Sequence, residues 1–243
     1  GAAMTRPALP DRLQVVVFDL DDTLYPERDY VRSGYAAVGE WLRQRRRSQE
    51  AYEDWLWRRF QTGRAAGAFD ALSEQFGLGL TGSEIAELVG VYREHTPMLR
   101  PRAGAVDMLN ELARHYRLGL LSDGFLPAQR LKLRALGLET RFQHVLFTEK
   151  LGRECWKPSP AGFRRLQEQF GTLPEAMAYV GDNPAKDFLA GNELGWSTVQ
   201  VRFADVVHAY RPSPPDGDAQ YVVDSLAELK ALLLSADPPA AAS

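Results

Sequence analysis

Carboxylates follow the first apolar segment of the chain in a dense group. The run Leu13–Phe18 is short and rich in β-branched residues, and Asp19, Asp21 and Asp22 come soon after it. Such a run is typical of a strand buried on both faces of a parallel sheet. Carboxylates crowded at a strand end repel one another unless a cation neutralises them, and hard oxygen ligands suit Mg²⁺. The pattern therefore predicts a magnesium site, with Asp19 and Asp21 on one side of the extended chain.

Two further segments place polar groups where a phosphate could bind. Ser122, Asp123 and Gly124 follow a second apolar run, Tyr116–Leu121. A hydroxyl and backbone N–H groups at a strand end can hold phosphate oxygens, and glycine allows close approach. Lys157 precedes a predicted helix and offers a point charge for a phosphate or for a carboxylate nucleophile.

A third segment of this kind, GDNPAKD, follows the run Ala176–Val180. Asp182 falls at the predicted strand tip and is a candidate metal ligand. Asn183 is predicted to cap the next helix, with Asp187 inside the first turns of that helix.

The elements that carry these groups alternate between strand and helix patterns, which predicts an α/β fold with a Rossmann-like doubly wound parallel sheet. Ligands collect at the carboxyl ends of the strands in such sheets. The further strand candidates are Ser197–Val201, Val145–Thr148 and Tyr221–Val223.

One stretch interrupts the alternation. Residues 26–99 show helical patterns and no convincing strand, so we interpret them as an inserted all-helical cap domain. The catalytic core then comprises residues 10–25 and 100–234, and the Ala/Pro-rich segment 235–243 is predicted to be a disordered tail.

The four motifs together resemble those of the haloacid dehalogenase superfamily of aspartate-dependent hydrolases, in its branch with a helical cap after the first strand. The resemblance spans roughly 13–234, and the motifs occur in the family's order. They are DLDDT from Asp19, Ser122 in LLSDG, Lys157 in KPSP, and GDNPAKD from Gly181.

This resemblance implies a role for each matching residue. Asp19 would be the nucleophile that forms an aspartyl-phosphate, and Asp21 the acid that protonates the leaving oxygen and then activates water. Lys157 would offset negative charge at Asp19 and assist phosphate binding. The metal would be held by Asp19, the backbone carbonyl of Asp21, and Asp182. The remaining assignments are phosphate binding for Ser122, Asp123 and Gly124, and supporting roles for Thr23, Asn183 and Asp187.

These roles predict a Mg²⁺-dependent phosphatase that hydrolyses a small phosphate monoester, either a sugar phosphate or a nucleoside monophosphate. A phosphomutase with the same motifs is the main alternative. A dehalogenase is disfavoured because dehalogenases of this family lack an acid at the position of Asp21. A non-catalytic binding protein is the alternative from another class, which the intact motifs disfavour.

The amino-acid composition limits the classes of molecule that the chain is expected to bind. The formal net charge is −3, so no basic excess favours nucleic acid or an anionic membrane. No apolar run approaches the ~18 residues of a membrane span. The single cysteine, Cys155, cannot form an internal disulfide, and we expect a cytoplasmic protein. We expect a small phosphorylated metabolite as the partner; the aromatic-rich cap also permits a homodimer.

One glycine-rich segment matches a dinucleotide-binding motif but does not indicate a dinucleotide site. Residues 77–82 fit the dinucleotide pattern G-x-G-x-x-G, but they follow a helical segment instead of a strand. Gly77 fits a helix end, and Thr81 with Glu84 fits a capping box for the next helix.

Overall fold

The structure, a computed structural model, describes residues 9–207 and 211–234 and contains a six-stranded sheet. The strand order is β3-β2-β1-β4-β5-β6, and every neighbouring pair is parallel. This confirms the predicted α/β class with a Rossmann-like sheet. The strands are β1 Val15–Phe18, β2 Arg117–Ser122, β3 His144–Phe147, β4 Met177–Gly181, β5 Ser197–Val201 and β6 Tyr221–Val223.

The register of the strands brings the predicted motifs to one edge. Phe18, the last residue of β1, pairs with Leu120 of β2 and with Val180 of β4. Asp19, Ser122 and Asp182 therefore follow within two residues of the same level. All four residues of β1 are buried, as the continuous apolar run requires in a sheet covered on both faces.

The chain divides into two compact units, of which the first contains the sheet. It holds the described residues up to Glu27, Arg100–Gly124, and the described residues from Leu136 onward. Its helices are α5 Ala105–Leu112, α7 Ala161–Phe170, α8 Leu189–Leu194 and α9 Leu226–Leu234.

Aromatic side chains fill the core of this unit. Phe163 of α7 packs edge-on against Tyr179 of β4 and against Trp196, with ring centroids 4.9 and 5.1 Å apart. All three are almost fully buried, and burial of each such side chain contributes about 1.5–3 kcal/mol. The core thus fixes the positions of α7, which follows Lys157, and of β4, which precedes Asp182.

The second unit is helical and comprises Arg28–Leu99 and Phe125–Ala135. Its own core includes Tyr35, Leu56, Leu72 and Leu88. The helices are α1 Glu27–Arg46, whose first residue belongs to the first unit, α2 Tyr52–Gln61, α3 Ala68–Gln75, α4 Gly82–Glu94 and α6 Ala128–Ala135.

The capping box predicted at Thr81 and Glu84 is present at the start of α4. Gly77 follows the end of α3 with a φ of +62°. The glycine-rich segment therefore joins two helices, and its rejection as a dinucleotide site agrees with the structure.

The predicted domain boundaries need two corrections. Residues 26–27 are predicted in the cap but belong to the unit with the sheet, and residues 125–135 are predicted in the core but belong to the helical unit. The Lys132 ammonium lies 4.1 Å from the ring centroid of Tyr30, and the Arg93 guanidinium lies 3.6 Å from that of Phe125. These cation–π contacts bind the segment to the helical unit. The role of that unit as a cap stays a prediction, and the predicted tail lies outside the described residues.

None of the helices in the described ranges is long and apolar enough to cross a bilayer.

Candidate active site

The loop after β1 turns sharply and is held by its backbone. The Asp19 N–H donates to the Val180 carbonyl at 2.9 Å, which extends the strand pairing by one residue. Thr23 and Leu24 then donate back to the Leu20 carbonyl at 3.2 and 3.0 Å. Asp19 itself is only 5% exposed. The first motif is therefore a fixed turn that presents a buried carboxylate at the strand end.

Lys157 lies at the centre of the charged network. Its Nζ lies 3.2 Å from Asp19 Oδ1 and 2.8 Å from Asp187 Oδ1, and it donates to the Tyr179 hydroxyl at 2.7 Å. Burial opposes the charged form, but Asp187 and Asp19 outweigh it and raise the pKa of Lys157 well above its ordinary value. The lysine is therefore a permanent positive charge beside Asp19.

Asp187 organises the loop after β4. Its Oδ2 accepts hydrogen bonds from the backbone N–H groups of Asp182 and Asn183, at 3.1 and 2.9 Å. Its Oδ1 meets Lys157. A Cβ at Gly181 would lie 2.5 Å from Asp187 Oδ2, so only glycine fits there. The two carboxylate oxygens thus connect the loop's backbone to the lysine.

The structure corrects the predicted helix at this loop. Asp187 was placed inside the first turns of a helix capped by Asn183, but α8 begins only at Leu189. Asn183 Oδ1 accepts from the Ala185 N–H at 3.1 Å and so caps an isolated turn. Asp187 lies in the turns between this cap and α8, where its carboxylate accepts from the Asp182 and Asn183 N–H groups.

The acidic cluster fits a divalent cation. Carboxylate oxygens of Asp19, Asp182 and Asp187 lie within 4.8 Å of one another. Within the described residues, the buried Asp182 Oδ2 has no hydrogen-bond partner, while Oδ1 accepts from the Thr23 hydroxyl at 3.4 Å. A buried carboxylate oxygen left without a donor is costly unless a cation or water meets it.

The electrostatics of these carboxylates agree with that assignment. Burial, opposed by Lys157 and reinforced by Asp187, raises the pKa of Asp19 to about 7. Burial, together with Asp187 and Asp19, raises the pKa of Asp182 well above its ordinary value. A bound divalent cation would lower both pKa values, because it favours the charged carboxylates. Asp187 is already committed to Lys157 and to two amides, so Asp19 and Asp182 are the carboxylates that could hold Mg²⁺.

Asp123 connects three loops. Its Oδ1 accepts from the Thr148 hydroxyl at 2.7 Å and from the Lys157 N–H at 3.1 Å, and its Oδ2 lies 3.1 Å from Lys186 Nζ. Burial opposes ionisation, but Lys157 and Lys186 outweigh it and lower the pKa of Asp123. The side chain is therefore an ionised positioning group, and a role for Asp123 in phosphate binding stays a prediction.

The neighbouring residues of this loop lie where the sequence predicts. Ser122 is fully buried at the end of β2, with its hydroxyl 3.2 Å from the Asp123 carbonyl. Gly124 has a φ of +127°, a conformation that favours glycine. Their phosphate-binding role stays a prediction.

The candidate acid, Asp21, is held by a residue of its own loop. The hydroxyl of the fully buried Tyr25 donates to Asp21 Oδ1. The chain is not extended here as predicted, because it turns at Asp22, whose φ is +59°. The Asp22 carboxylate accepts from the Glu27 and Val207 N–H groups at 2.8 and 2.7 Å. Asp21 is thus oriented, whereas Asp22 anchors the loop.

The comparison with known families agrees with this geometry. The model of the haloacid dehalogenase-like hydrolase family matches residues 13–195, which include all four motifs. The chain belongs to this family.

Among its curated relatives, a haloacid dehalogenase-like hydrolase named glyceraldehyde 3-phosphate phosphatase, from Methanopyrus kandleri, is 28% identical over 78% of this chain and 84% of its own. Phosphoserine phosphatase from Thermus thermophilus is 29% identical over 89% and 98%. Family membership and these names confirm the predicted enzyme class, a phosphoric monoester hydrolase.

A solved haloacid dehalogenase-like structure shares the fold. The hydrolase YfnB from Bacillus subtilis, determined with bound magnesium, superposes with a TM-score of 0.66 at 23% identity. The match covers 92% of this chain and 99% of that one.

Several site residues of this family member escaped sequence reasoning. Tyr179 contacts Lys157, Tyr25 contacts Asp21, and Thr148 contacts Asp123. Tyr25 lies only four positions from Asp21, a spacing that could have indicated it. Tyr179 and Thr148 carry no local signal because their partners are distant in sequence.

Proposed function

We propose that this chain is a Mg²⁺-dependent phosphatase that hydrolyses a small phosphate monoester through an aspartyl-phosphate on Asp19. The observation that carries the proposal is the pairing of Asp19 with the Lys157 ammonium beside the unpartnered Asp182 Oδ2. A carboxylate attacks a phosphate dianion only where positive charge cancels their repulsion. Lys157 supplies one such charge, and Asp19 and Asp182 offer oxygens for a divalent cation.

The first step forms the covalent intermediate. An Asp19 carboxylate oxygen attacks phosphorus, and the bond between phosphorus and the ester oxygen breaks. Asp21, oriented by Tyr25, gives its proton to that leaving oxygen. Mg²⁺, when bound, supplies charge neutralisation at the phosphate and at Asp19.

The second step regenerates the enzyme. Asp21, now a carboxylate, takes a proton from water as the water oxygen attacks phosphorus. The Asp19–phosphorus bond breaks, inorganic phosphate leaves, and Asp21 is again protonated. One residue thus serves as acid and base, a contribution worth ~10²–10⁴-fold.

We take the substrate to be a sugar phosphate or a nucleoside monophosphate. The curated relatives are named for glyceraldehyde 3-phosphate and phosphoserine, which supports a compact substrate. A cytoplasmic location rests on the single Cys155. The expected absence of nucleic-acid and membrane partners, and a homodimer, stay predictions.

The experiment is phosphate release from a panel of sugar phosphates, nucleoside monophosphates and phospho-acids, with Mg²⁺ and with a chelator. Asp19→Asn should abolish release while the fold persists. Asp224→Asn, which alters an exposed aspartate paired with Arg202, is the matched control and should match the wild type. Chelator-insensitive turnover, or activity in Asp19→Asn, would contradict the proposal.

A further inference from the structure

Lys186 connects the two loops that lie at the ends of β2 and β4. Its Nζ lies 3.1 Å from Asp123 Oδ2. The Asp123 side chain is 4% exposed, whereas that of Lys186 remains 34% exposed. The aspartate of this ion pair is therefore buried, whereas the lysine is partly exposed.

Both ends of this ion pair are fixed by other bonds. The Lys186 and Asp187 N–H groups donate to the Asn183 carbonyl at 3.2 and 2.9 Å, which sets the backbone that carries Lys186. Asp123 is held by Thr148 and by the Lys157 N–H. Lys186 is consequently a preorganised cation on the loop that also supplies Asp182.

The donors of the two lysines are used differently. An ammonium carries three N–H groups. Those of Lys157 have three partners, Asp19, Asp187 and Tyr179, so Lys157 would have to give up a bond to donate to a phosphate. Among the residues that the structure describes, the Lys186 ammonium donates to Asp123 Oδ2, which leaves N–H groups for a ligand.

The charge of Lys186 also reaches the nucleophile. The pKa of Asp19 is set first by burial, and the Lys157 and Lys186 ammonium groups both act to lower it. The Lys186 charge therefore acts on Asp19, although Lys186 is not one of Asp19's direct contacts.

We propose that Lys186 binds the phosphate group of the substrate directly, and that Lys157 serves chiefly to neutralise and position Asp19. This rests on the proposed function, in which the phosphoryl group of the substrate is transferred to Asp19. The division of labour follows from the contacts: the buried lysine is saturated by protein groups, and the partly exposed lysine keeps donors for a ligand.

The test measures binding of inorganic phosphate to the Mg²⁺-loaded protein by titration calorimetry. Lys186→Gln should weaken binding about tenfold or more, the scale of a lost charge-assisted hydrogen bond. Lys186→Arg, which keeps the charge, should stay within a few-fold of the wild type. Lys230→Gln is the matched control, because Lys230 also pairs with a carboxylate, that of Glu111, and its side chain is 40% exposed.

Steady-state kinetics separate binding from a structural role. Lys186→Gln should raise KM for the best substrate by a similar factor with a smaller effect on kcat. Lys186→Met, which retains the length of the stem, provides a second neutral variant if the glutamine protein folds poorly. Unchanged phosphate affinity in a folded neutral variant, or equal losses in Lys186→Gln and Lys186→Arg, would overturn the assignment.

The two proposals fail in different ways. If the wild type binds phosphate through Lys186 but hydrolyses no ester, the proposed function fails and the binding role stands. If the wild type hydrolyses esters and Lys186→Gln behaves like Lys230→Gln, the binding role fails and the function stands.

Discussion

At the scale of single residues, the proposed acid Asp21 should decide which leaving groups the enzyme can expel. Asp21→Asn keeps the size of the side chain but removes the proton that the leaving oxygen needs. We expect kcat to fall by ~10²-fold or more for an alkyl phosphate, and by much less for an activated aryl phosphate, whose leaving group departs unprotonated. Parallel kcat measurements on both substrates check this. Equal losses would show that Asp21 is not the acid.

If Asp182 holds Mg²⁺ as proposed, metal binding should affect stability. Its buried Oδ2 lacks a partner in the described structure, so Mg²⁺ should raise the thermal midpoint of the wild type. Asp182→Asn should abolish that rise. It should also raise the midpoint of the metal-free protein by about 2–4 °C per kcal/mol of relieved repulsion.

Thermal unfolding with Mg²⁺ and with chelator measures both effects, and Asp224→Asn is again the control. A normal Mg²⁺-induced rise in Asp182→Asn would remove Asp182 from the metal site.

At the scale of elements, the end of β4 depends on a single glycine. A Cβ at Gly181 would approach Asp187 Oδ2 to 2.5 Å. Gly181→Ala should therefore displace Asp187 from Lys157, lower the free energy of unfolding by about 1–3 kcal/mol, and reduce kcat.

Gly90→Ala in α4 is the matched control, because a Cβ there meets open space. It should be neutral or stabilising by up to ~1 kcal/mol. Denaturant unfolding and kcat are the measurements. Equal stability changes for the two variants would contradict the packing argument.

The helical unit should lose stability in mild acid through His95. The His95 Nδ1–H donates to the Tyr92 carbonyl at 2.5 Å, and Nε2 lies 2.9 Å from the Ser33 hydroxyl. Burial, with Lys132 nearby, lowers the pKa of His95 below its ordinary value near 6.5. The unfolded chain then binds the proton more tightly, so the free energy of unfolding falls as the pH drops from about 6.5 through the lower folded pKa.

Denaturant unfolding at pH 7 and pH 5 measures this loss. His95→Gln should reduce the difference between the two pH values, whereas His115→Gln, at an exposed position, should preserve it. An unchanged difference in His95→Gln would refute the role of His95.

At the scale of the whole molecule, the features that the sequence predicts are the site residues at the ends of strands. Asp19, Ser122 and Asp182 follow apolar runs that form neighbouring parallel strands, so topology alone brings them together. Lys157 also meets Asp19 as the resemblance implies. These features are predictable because a short local pattern fixes each strand and the sheet fixes the rest.

Other features depend on long-range contacts and were not predictable. Residues 125–135 join the helical unit through cation–π partners distant in sequence, Tyr30 and Arg93. Asp187 lies in a turn before α8 and bonds the Asp182 and Asn183 N–H groups, although Asn183 and Pro184 signal a helix start.

The central claim is that Asp19 carries the phosphoryl group between two displacements. The stereochemical course at phosphorus tests it most directly, with the wild-type enzyme and a substrate whose phosphoryl oxygens are isotopically chiral. Each in-line displacement inverts the configuration. Transfer to Asp19 and then to water should therefore release phosphate with overall retention, whereas overall inversion would show direct attack by water and contradict the assignment of Asp19 as nucleophile.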